Sequence, residues 1–330
     1  MAGLLSPLQI KGMKLSNRLV MPPMATTKAG ENGEVSQELL HYYDEKCRGG
    51  YLGLVIIEHS FISPEGKASE RQLSVSRDED IPGLRTLAKT IQKNGSKAIV
   101  QINHAGSGTT AEVIKTTPLG PSPVANPRKG TIPRELDAAE IKKIVADFQK
   151  AAARVKEAGF DGVEIHSAHS YLLNQFFSPI TNKREDAYGG SLDNRIKLHL
   201  EVIAAVREAV GRDFPLFLRL GCCDYLEGGT TLEDSKSAAR EFARAGVDVI
   251  DVSGGVLGYN VPGNTEEGYF TPLSEAVKKV VDIPVIVTGG IKTAAKANQI
   301  IAEGKADLVG VGRALLQDSL WAKKAVECLR

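Results

Sequence analysis

Short apolar runs bounded by glycine or proline recur along the chain, separated by longer stretches in which apolar residues return every three or four positions. The short runs fall at residues 19–21, 54–57, 98–102, 162–165, 216–219, 249–252, 285–287 and 308–310, and read as eight strands. Residues 138–158, 196–210 and 231–245 read as amphipathic helices. Each closes at a glycine (Gly159, Gly211, Gly246) that can take the left-handed backbone of a helix end, and the next strand follows within a few residues. Strands apolar on both faces and alternating with helices predict a parallel sheet covered on both sides. Eight such units predict a closed (β/α)8 TIM barrel of α/β class, with a doubly wound open sheet as the alternative arrangement.

No Pro/Gly/Ser-rich linker divides the chain, so residues 1–330 read as a single domain. Residues 1–18 precede the first strand, and the stretch LQIKGMKL within them predicts a hairpin that turns at Lys11-Gly12 and caps the bottom of the barrel. Long connections follow the third strand (104–135), the fourth (166–194) and the sixth (257–268), and long connections inside a compact domain are usually functional. With 42% hydrophobic and 25% charged residues the chain can bury one large core. Its 41 basic and 40 acidic residues give a net charge of +1, which offers no reason to expect nucleic acid or an anionic membrane as partner. Small molecules are the expected partners, and homo-oligomerisation is left open. No signal-peptide pattern and no apolar run of about 20 residues is present, which predicts a cytoplasmic protein. Cys47, Cys222, Cys223 and Cys328 show no CxxC spacing and read as reduced, structural thiols; no metal centre is expected.

In a barrel of this kind the reactive groups sit where strands hand over to loops at their C-terminal ends. Those positions are polar or conformationally special throughout: Pro22-Pro23-Met24-Ala25-Thr26-Thr27, Glu58-His59-Ser60, Gln101-Ile102-Asn103-His104, His166-Ser167-Ala168-His169, Arg219, Ser253-Gly254-Gly255, Thr288-Gly289-Gly290 and Gly312-Arg313. The glycines after strands seven and eight let backbone N–H groups approach an anion, and Arg313 adds a forked cation, so the ligand is expected to carry a phosphate. Tight turns alone would also use these glycines. Arg219 is the one charge in an apolar strand and needs a partner, either a flavin edge that becomes anionic on reduction or a carboxylate such as Glu164. Gln101 needs both donor and acceptor partners, which a pyrimidine edge or the backbone could supply. His166 and His169 could form a metal pair, though no further ligand motif accompanies them, or could together polarise a carbonyl or nitro oxygen. Tyr171, two residues on, is either packing or a proton donor to the same ligand.

The stretch from Glu164 to Arg195, EIHSAHSYLLNQFFSPITNKREDAYGGSLDNR, together with SNRLVMPPM (16–24), IVQINHAG (99–106), FLRL around Arg219, TGGI and GVGRALL (310–316), resembles the Old Yellow Enzyme family of FMN-dependent NAD(P)H oxidoreductases over essentially the whole chain. The resemblance implies that Pro22, Pro23, Met24 and Ala25 lie against FMN with His59 beside it through its backbone. It further implies that Gln101 and Arg219 bind the pyrimidine ring, and that Gly289, Gly290, Gly312 and Arg313 hold the phosphate. His166 and His169 would grip the substrate oxygen, Tyr171 would donate the proton, and Thr27 would stand at a substrate contact. Bacterial members often carry Cys in place of Ala25 and Tyr in place of Thr27, so one flavin-tuning contact and one substrate contact are missing. The chain lacks the cysteine cluster and dinucleotide-binding domains that longer relatives carry after GVGRALL, which implies electrons taken directly from diffusing NADH or NADPH. The implied activity is ene reduction: hydride passes from FMN N5 to the β-carbon of an α,β-unsaturated carbonyl or nitro compound in a ping-pong cycle. Dienoyl-CoA reduction or amine dehydrogenation on the same flavin is the alternative. A flavin-free aldolase or isomerase lacks a suitably placed Schiff-base lysine, and a flavin carrier without catalysis is a further alternative.

Overall fold

Strands with no polar face must be covered on both sides, and the chain meets this by closing them on one another inside a ring of helices. The computed structural model describes residues 2–330. Its barrel strands are β1 (Leu19–Met21), β2 (Leu54–Phe61), β3 (Lys97–Asn103), β4 (Gly162–Ser167), β5 (Leu216–Gly221), β6 (Val249–Ser253), β7 (Val285–Val287) and β8 (Leu308–Gly310). Neighbours pair parallel in chain order, and β8 returns to β1 through Val309↔Leu19 and Gly310↔Val20. The outer helices are α1 (Gln37–Cys47), α2 (Ile81–Gln92), α3 (Ala138–Glu157), α4 (Leu192–Val210), α5 (Leu232–Arg244), α6 (Thr271–Lys278), α7 (Ala294–Ala302) and α8 (Trp321–Leu329). The (β/α)8 barrel expected from the alternation is therefore the fold. No helix among the described residues is long and apolar enough to cross a membrane.

Local chemistry explains where the helices begin and end. Asp137 caps α3 and Thr231 caps α5, each in a reciprocal box with the residue three positions on, Glu140 and Asp234. Such caps are each worth about 1 kcal/mol. Gly159, Gly211 and Gly246 take φ of 85°, 78° and 110° after α3, α4 and α5, the left-handed region that other residues enter at a cost.

The N-terminal hairpin pairs Leu8–Ile10 with Met13–Leu15 around Lys11-Gly12. Ile10, Met13 and Leu15 pack with Val20, Leu54, Ile56, Ile99, Phe217, Val249, Ile286 and Leu308, the apolar filling of the lower barrel. Two residues further along the same strand faces the filling changes character. Glu58, Gln101, Glu164, Arg219 and Asp251 lie there, all buried. β2 also runs past the predicted 54–57 to Phe61, because after a bulge Ser60 and Phe61 still pair with Ile102 and Asn103. The polar residues that mark the end of the apolar run are thus strand residues, buried as the wall of a site.

Candidate active site

Where β7 and β8 end, the backbone makes a cradle. Gly289 and Gly290 take φ of 117° and 67°. A Cβ on Gly290 would stand 2.7 Å from the Tyr269 ring, and one on Gly312 would stand 3.2 Å from Met24 Sδ, with Pro22 Cγ at 3.5 Å. The N–H groups of Gly289, Gly290 and Gly312 donate to no acceptor among the described residues. Arg313, which follows Gly312, donates to the Tyr269 hydroxyl at 2.9 Å, and that hydroxyl donates to the Tyr259 carbonyl at 2.6 Å. The loop after β6 is thereby tied to the arginine.

The polar belt lies beside this cradle. Arg219 Nε stands 3.3 Å from Asp251 Oδ2, while Gln101 Nε2 donates to Glu164 Oε1 at 2.7 Å. The carboxylate beside Arg219 is therefore Asp251 and not Glu164, the carboxylate offered as the alternative to a flavin edge, and the Gln101 amide meets a carboxyl and not backbone. Burial raises both carboxyls, Asp251 to about 6 against the pull of Arg219, and Glu164 well above the usual range with help from the Asp251 charge. Asp251 is the carboxyl that faces Arg219. Glu58, raised by burial to about 7, accepts from Thr26 N at 2.8 Å and so fixes the loop after β1.

Several buried polar atoms in this layer have no hydrogen-bond partner among the described residues: Arg219 Nε, both amide atoms of Asn103, Glu164 Oε2, both oxygens of Asp251 and His166 Nδ1. Native interiors rarely leave such groups unpaired unless a ligand meets them. A flat heterocycle edged with ring nitrogens and carbonyls, carrying a phosphate at its far end, matches both the orphaned edge and the glycine cradle. FMN has that chemistry. Gln101, Asn103 and Arg219 would hold its ring and Gly289, Gly290, Gly312 and Arg313 its phosphate.

The third part of the site is a cluster of rings. β4 delivers His166 to the mouth, and the chain then turns through His169 and Ser170 at φ of 61° and 64°. Left-handed backbone costs a non-glycine residue about 1–2 kcal/mol, so neighbours must hold it. Asn174 Oδ1 accepts from Ser170 N at 2.8 Å, and Gln175 and Asn126 donate to Ser170 O at 2.6 and 3.1 Å. The outcome is an edge-to-face imidazole pair, His166 and His169, with centroids 5.2 Å apart. Tyr171 stands 5.1 Å from His166. His169 Nε2 meets the Ser253 hydroxyl at 2.7 Å. Burial, with Arg219, Arg128 and the neighbouring imidazoles adding to it, drives both histidines well below their usual range. They are neutral at pH 7. Burial likewise raises Tyr171, which stays a phenol.

Sequence reading anticipated that trio, but it assigned His59 a backbone role only. Its ring in fact belongs to the cluster, 5.3 Å from Tyr171 and 6.3 Å from His166. Thr27 does not join it: the residue is exposed at φ 55°, and its hydroxyl donates to the Thr26 carbonyl at 2.6 Å. Pro23 and Ala25, in the loop after β1, are half-buried and exposed in turn. Arg128 and Tyr259, from the loops after β3 and β6, were not foreseen, since neither loop carries a motif. Arg128 donates to the His169 carbonyl at 3.2 Å and lies over the Tyr259 ring at 5.6 Å, so the two loops meet beside the imidazoles. Asp251 could have been found, because it follows Val249 by two on the inward face. Among the described residues no group of three or more His, Cys, Asp or Glu is placed to hold a metal ion.

Comparison with known proteins shows which family the chain belongs to. The NADH:flavin oxidoreductase / NADH oxidase family matches residues 3–330. An NADH oxidase of Thermoanaerobacter brockii is 45% identical over 325 residues, covering 97% of this chain and 50% of that protein. An NADPH dehydrogenase of Geobacillus sp. is 38% identical, covering 98% of this chain and 94% of its own length. The structure of a 2-naphthoyl-CoA reductase bound to 2-naphthoyl-CoA superposes with a TM-score of 0.93 at 28% identity, over 99% of this chain and 52% of that one. The chain thus spans about half the length of two of these three relatives. It belongs to the NADH:flavin oxidoreductase / NADH oxidase family, the Old Yellow Enzyme-like oxidoreductases whose cofactor is FMN.

Proposed function

We propose that the chain is an FMN-dependent NAD(P)H oxidoreductase that reduces carbon–carbon double bonds conjugated to a carbonyl or nitro group. The observation that carries this reading is the pair of neutral imidazoles, His166 and His169, set at right angles with the Tyr171 phenol beside them. FMN, held by Gln101, Arg219, Gly289, Gly290, Gly312 and Arg313, would supply the hydride chemistry between NADH or NADPH and the double bond. His166 and His169 donate N–H groups to the substrate oxygen and stabilise the negative charge that grows there. The 2.7 Å contact between His169 Nε2 and the Ser253 hydroxyl holds that ring in place. Tyr171 donates its proton to the α-carbon. Arg219 places a cation at the pyrimidine edge, where reduction puts negative charge. Donor and acceptor use the same mouth in turn, which makes the cycle ping-pong.

The test is a His166→Ala/His169→Ala double variant. It should keep its yellow colour and its oxidation of NAD(P)H while reduction of cyclohexenone falls at least about 100-fold, the scale of losing preorganised donors to a developing oxyanion. Unchanged cyclohexenone turnover would overturn the assignment. A second reading, reduction of an enoyl- or aryl-CoA thioester, draws support from the likeness to 2-naphthoyl-CoA reductase, since the same grip suits a thioester carbonyl. A panel of enones, nitroalkenes and CoA thioesters, each assayed with NADH and with NADPH, separates the two. Amine dehydrogenation would leave the oxygen grip without a purpose, and membership of a flavin family argues against a flavin-free aldolase.

A further inference from the structure

We infer that His59 is a positioning residue for Tyr171: its Nε2–H donates to the phenol oxygen, orients the hydroxyl and holds the negative charge left when the phenol gives up its proton. The inference rests on the proposed role of Tyr171 as the acid and adds a residue to it.

The tautomer of His59 is set one step away, at Gln72. Its Oε1 accepts from Ala68 N at 2.6 Å, which settles the amide orientation and turns Nε2 toward His59. Nε2 lies 2.7 Å from His59 Nδ1 and 2.9 Å from the His59 carbonyl. An amide nitrogen only donates, so Nδ1 must accept, and the ring proton of a neutral imidazole is then on Nε2. That nitrogen stands 3.5 Å from Tyr171 Oη, the outer limit of a hydrogen bond and a length that catalytic contacts commonly show before the reacting complex tightens them. Burial, with Arg219 and Arg128 adding to it, brings the His59 imidazole down to about 4, so it is a neutral donor across the working pH range. Gln72 is itself buried, and the backbone of Gly108 comes so close to the Tyr171 ring that a Cβ there would stand 2.8 Å from it. Gly108 confines the phenol and His59 addresses it. Besides His59, the groups that face it are His166, Arg128 and Tyr259.

In the step itself the Tyr171 O–H bond breaks and its electron pair stays on Oη. The proton forms a C–H bond at the substrate α-carbon with the electron pair of the enolate. Nothing is oxidised or reduced here, and water later restores the phenol. A neutral N–H···O contact becomes charge-assisted as the phenolate forms, and such bonds are about twice as strong. The contact therefore favours the ionised product over the resting phenol and makes Tyr171 a stronger acid.

The experiment places 3-fluorotyrosine at position 171 in the FMN-loaded enzyme, which brings the phenol titration into a range the protein tolerates, and follows it by fluorine NMR. In a His59→Leu background the phenol should titrate about one unit higher, the size of one lost hydrogen bond to a charged oxygen. His59→Gln, whose terminal amide reaches nearly the place of Nε2, should bring it back. Gln72→Leu, which frees the tautomer and leaves the His59 ring in place, should give part of the same shift and tests the idea even if His59→Leu folds poorly. In single turnover, re-oxidation by cyclohexenone should slow about tenfold relative to reduction by NADPH in His59→Leu, with recovery in His59→Gln. Titration of the phenol at the same pH in all four proteins would overturn the inference. Full alkene reduction by Tyr171→Phe, with the titration shifts intact, would instead remove Tyr171 from the role of acid and leave the His59 contact standing.

Discussion

Arg219 shows at the level of one side chain how register decides chemistry. Glu164 and Asp251 come from the two strands that flank β5, and their positions in an alternating pattern make them equal candidates for its partner. In the barrel Arg219 lies level with His166 on one side and Asp251 on the other, while Glu164 is level with Phe217 and Gln101. Replacing Arg219 by Met leaves the buried Asp251 carboxyl without its cation. We expect a loss of about 3–5 kcal/mol in urea unfolding together with colourless protein as purified. Arg219→Lys keeps the charge without the fork, and should retain the fold while FMN affinity, read by fluorescence quenching, drops about tenfold or more. Protein that stays yellow with unaltered affinity would remove Arg219 from the flavin edge. The same limit of pattern explains what was readable elsewhere in the site. His166, His169 and Tyr171 are delivered by one short stretch and stand out in it. Gln72, Arg128 and Tyr259 reach the cluster from loops whose paths no periodicity fixes.

Elements were more readable than side chains, because burial on both faces leaves an unmistakable run of apolar residues. All eight strands lie where those runs fall, and α3 and α5 begin at the acid and hydroxyl caps that precede them. The main departure is β2, which runs on through a bulge at Glu58-His59 to pair Ser60 and Phe61 with β3; a rule that equates strand with apolar run must stop short where a strand lines a site. The hairpin illustrates the opposite case, two three-residue strands recognisable only through their turn. It packs on the lower core, with Ile10, Met13 and Leu15 among the apolar filling. Ile10→Ala should cost about 2–4 kcal/mol, measured by thermal or urea unfolding, with FMN affinity unchanged. A matching fall in affinity would mean that the two ends of the barrel are coupled.

The whole molecule carries an unusual distribution of protons. Of its 6 histidines, His59, His104, His166, His169 and His199 are held below their usual range, chiefly by burial, with His104 at about 4 and His199 at about 3. Each remains neutral in the fold while the unfolded chain takes up a proton near pH 6.5. Their contribution to stability is therefore present above that pH and is lost as pH falls through the window down to their folded values. Glu58, Glu164 and Asp251 work in the opposite sense: their folded values are raised, so acidification favours the fold until the unfolded carboxyls also protonate. Five groups against three leave a net loss, and unfolding free energy should drop by several kcal/mol, as an order of magnitude, between about pH 6.5 and pH 4. Urea titrations at half-unit intervals check this; a flat profile would mean that the buried imidazoles relax or hydrate on protonation. The hairpin's seal on the lower end of the barrel has one more result, and it concerns traffic. With that end stoppered by apolar side chains, the way to the buried polar residues is from the opposite rim, so under the proposed function donor and acceptor would share one doorway.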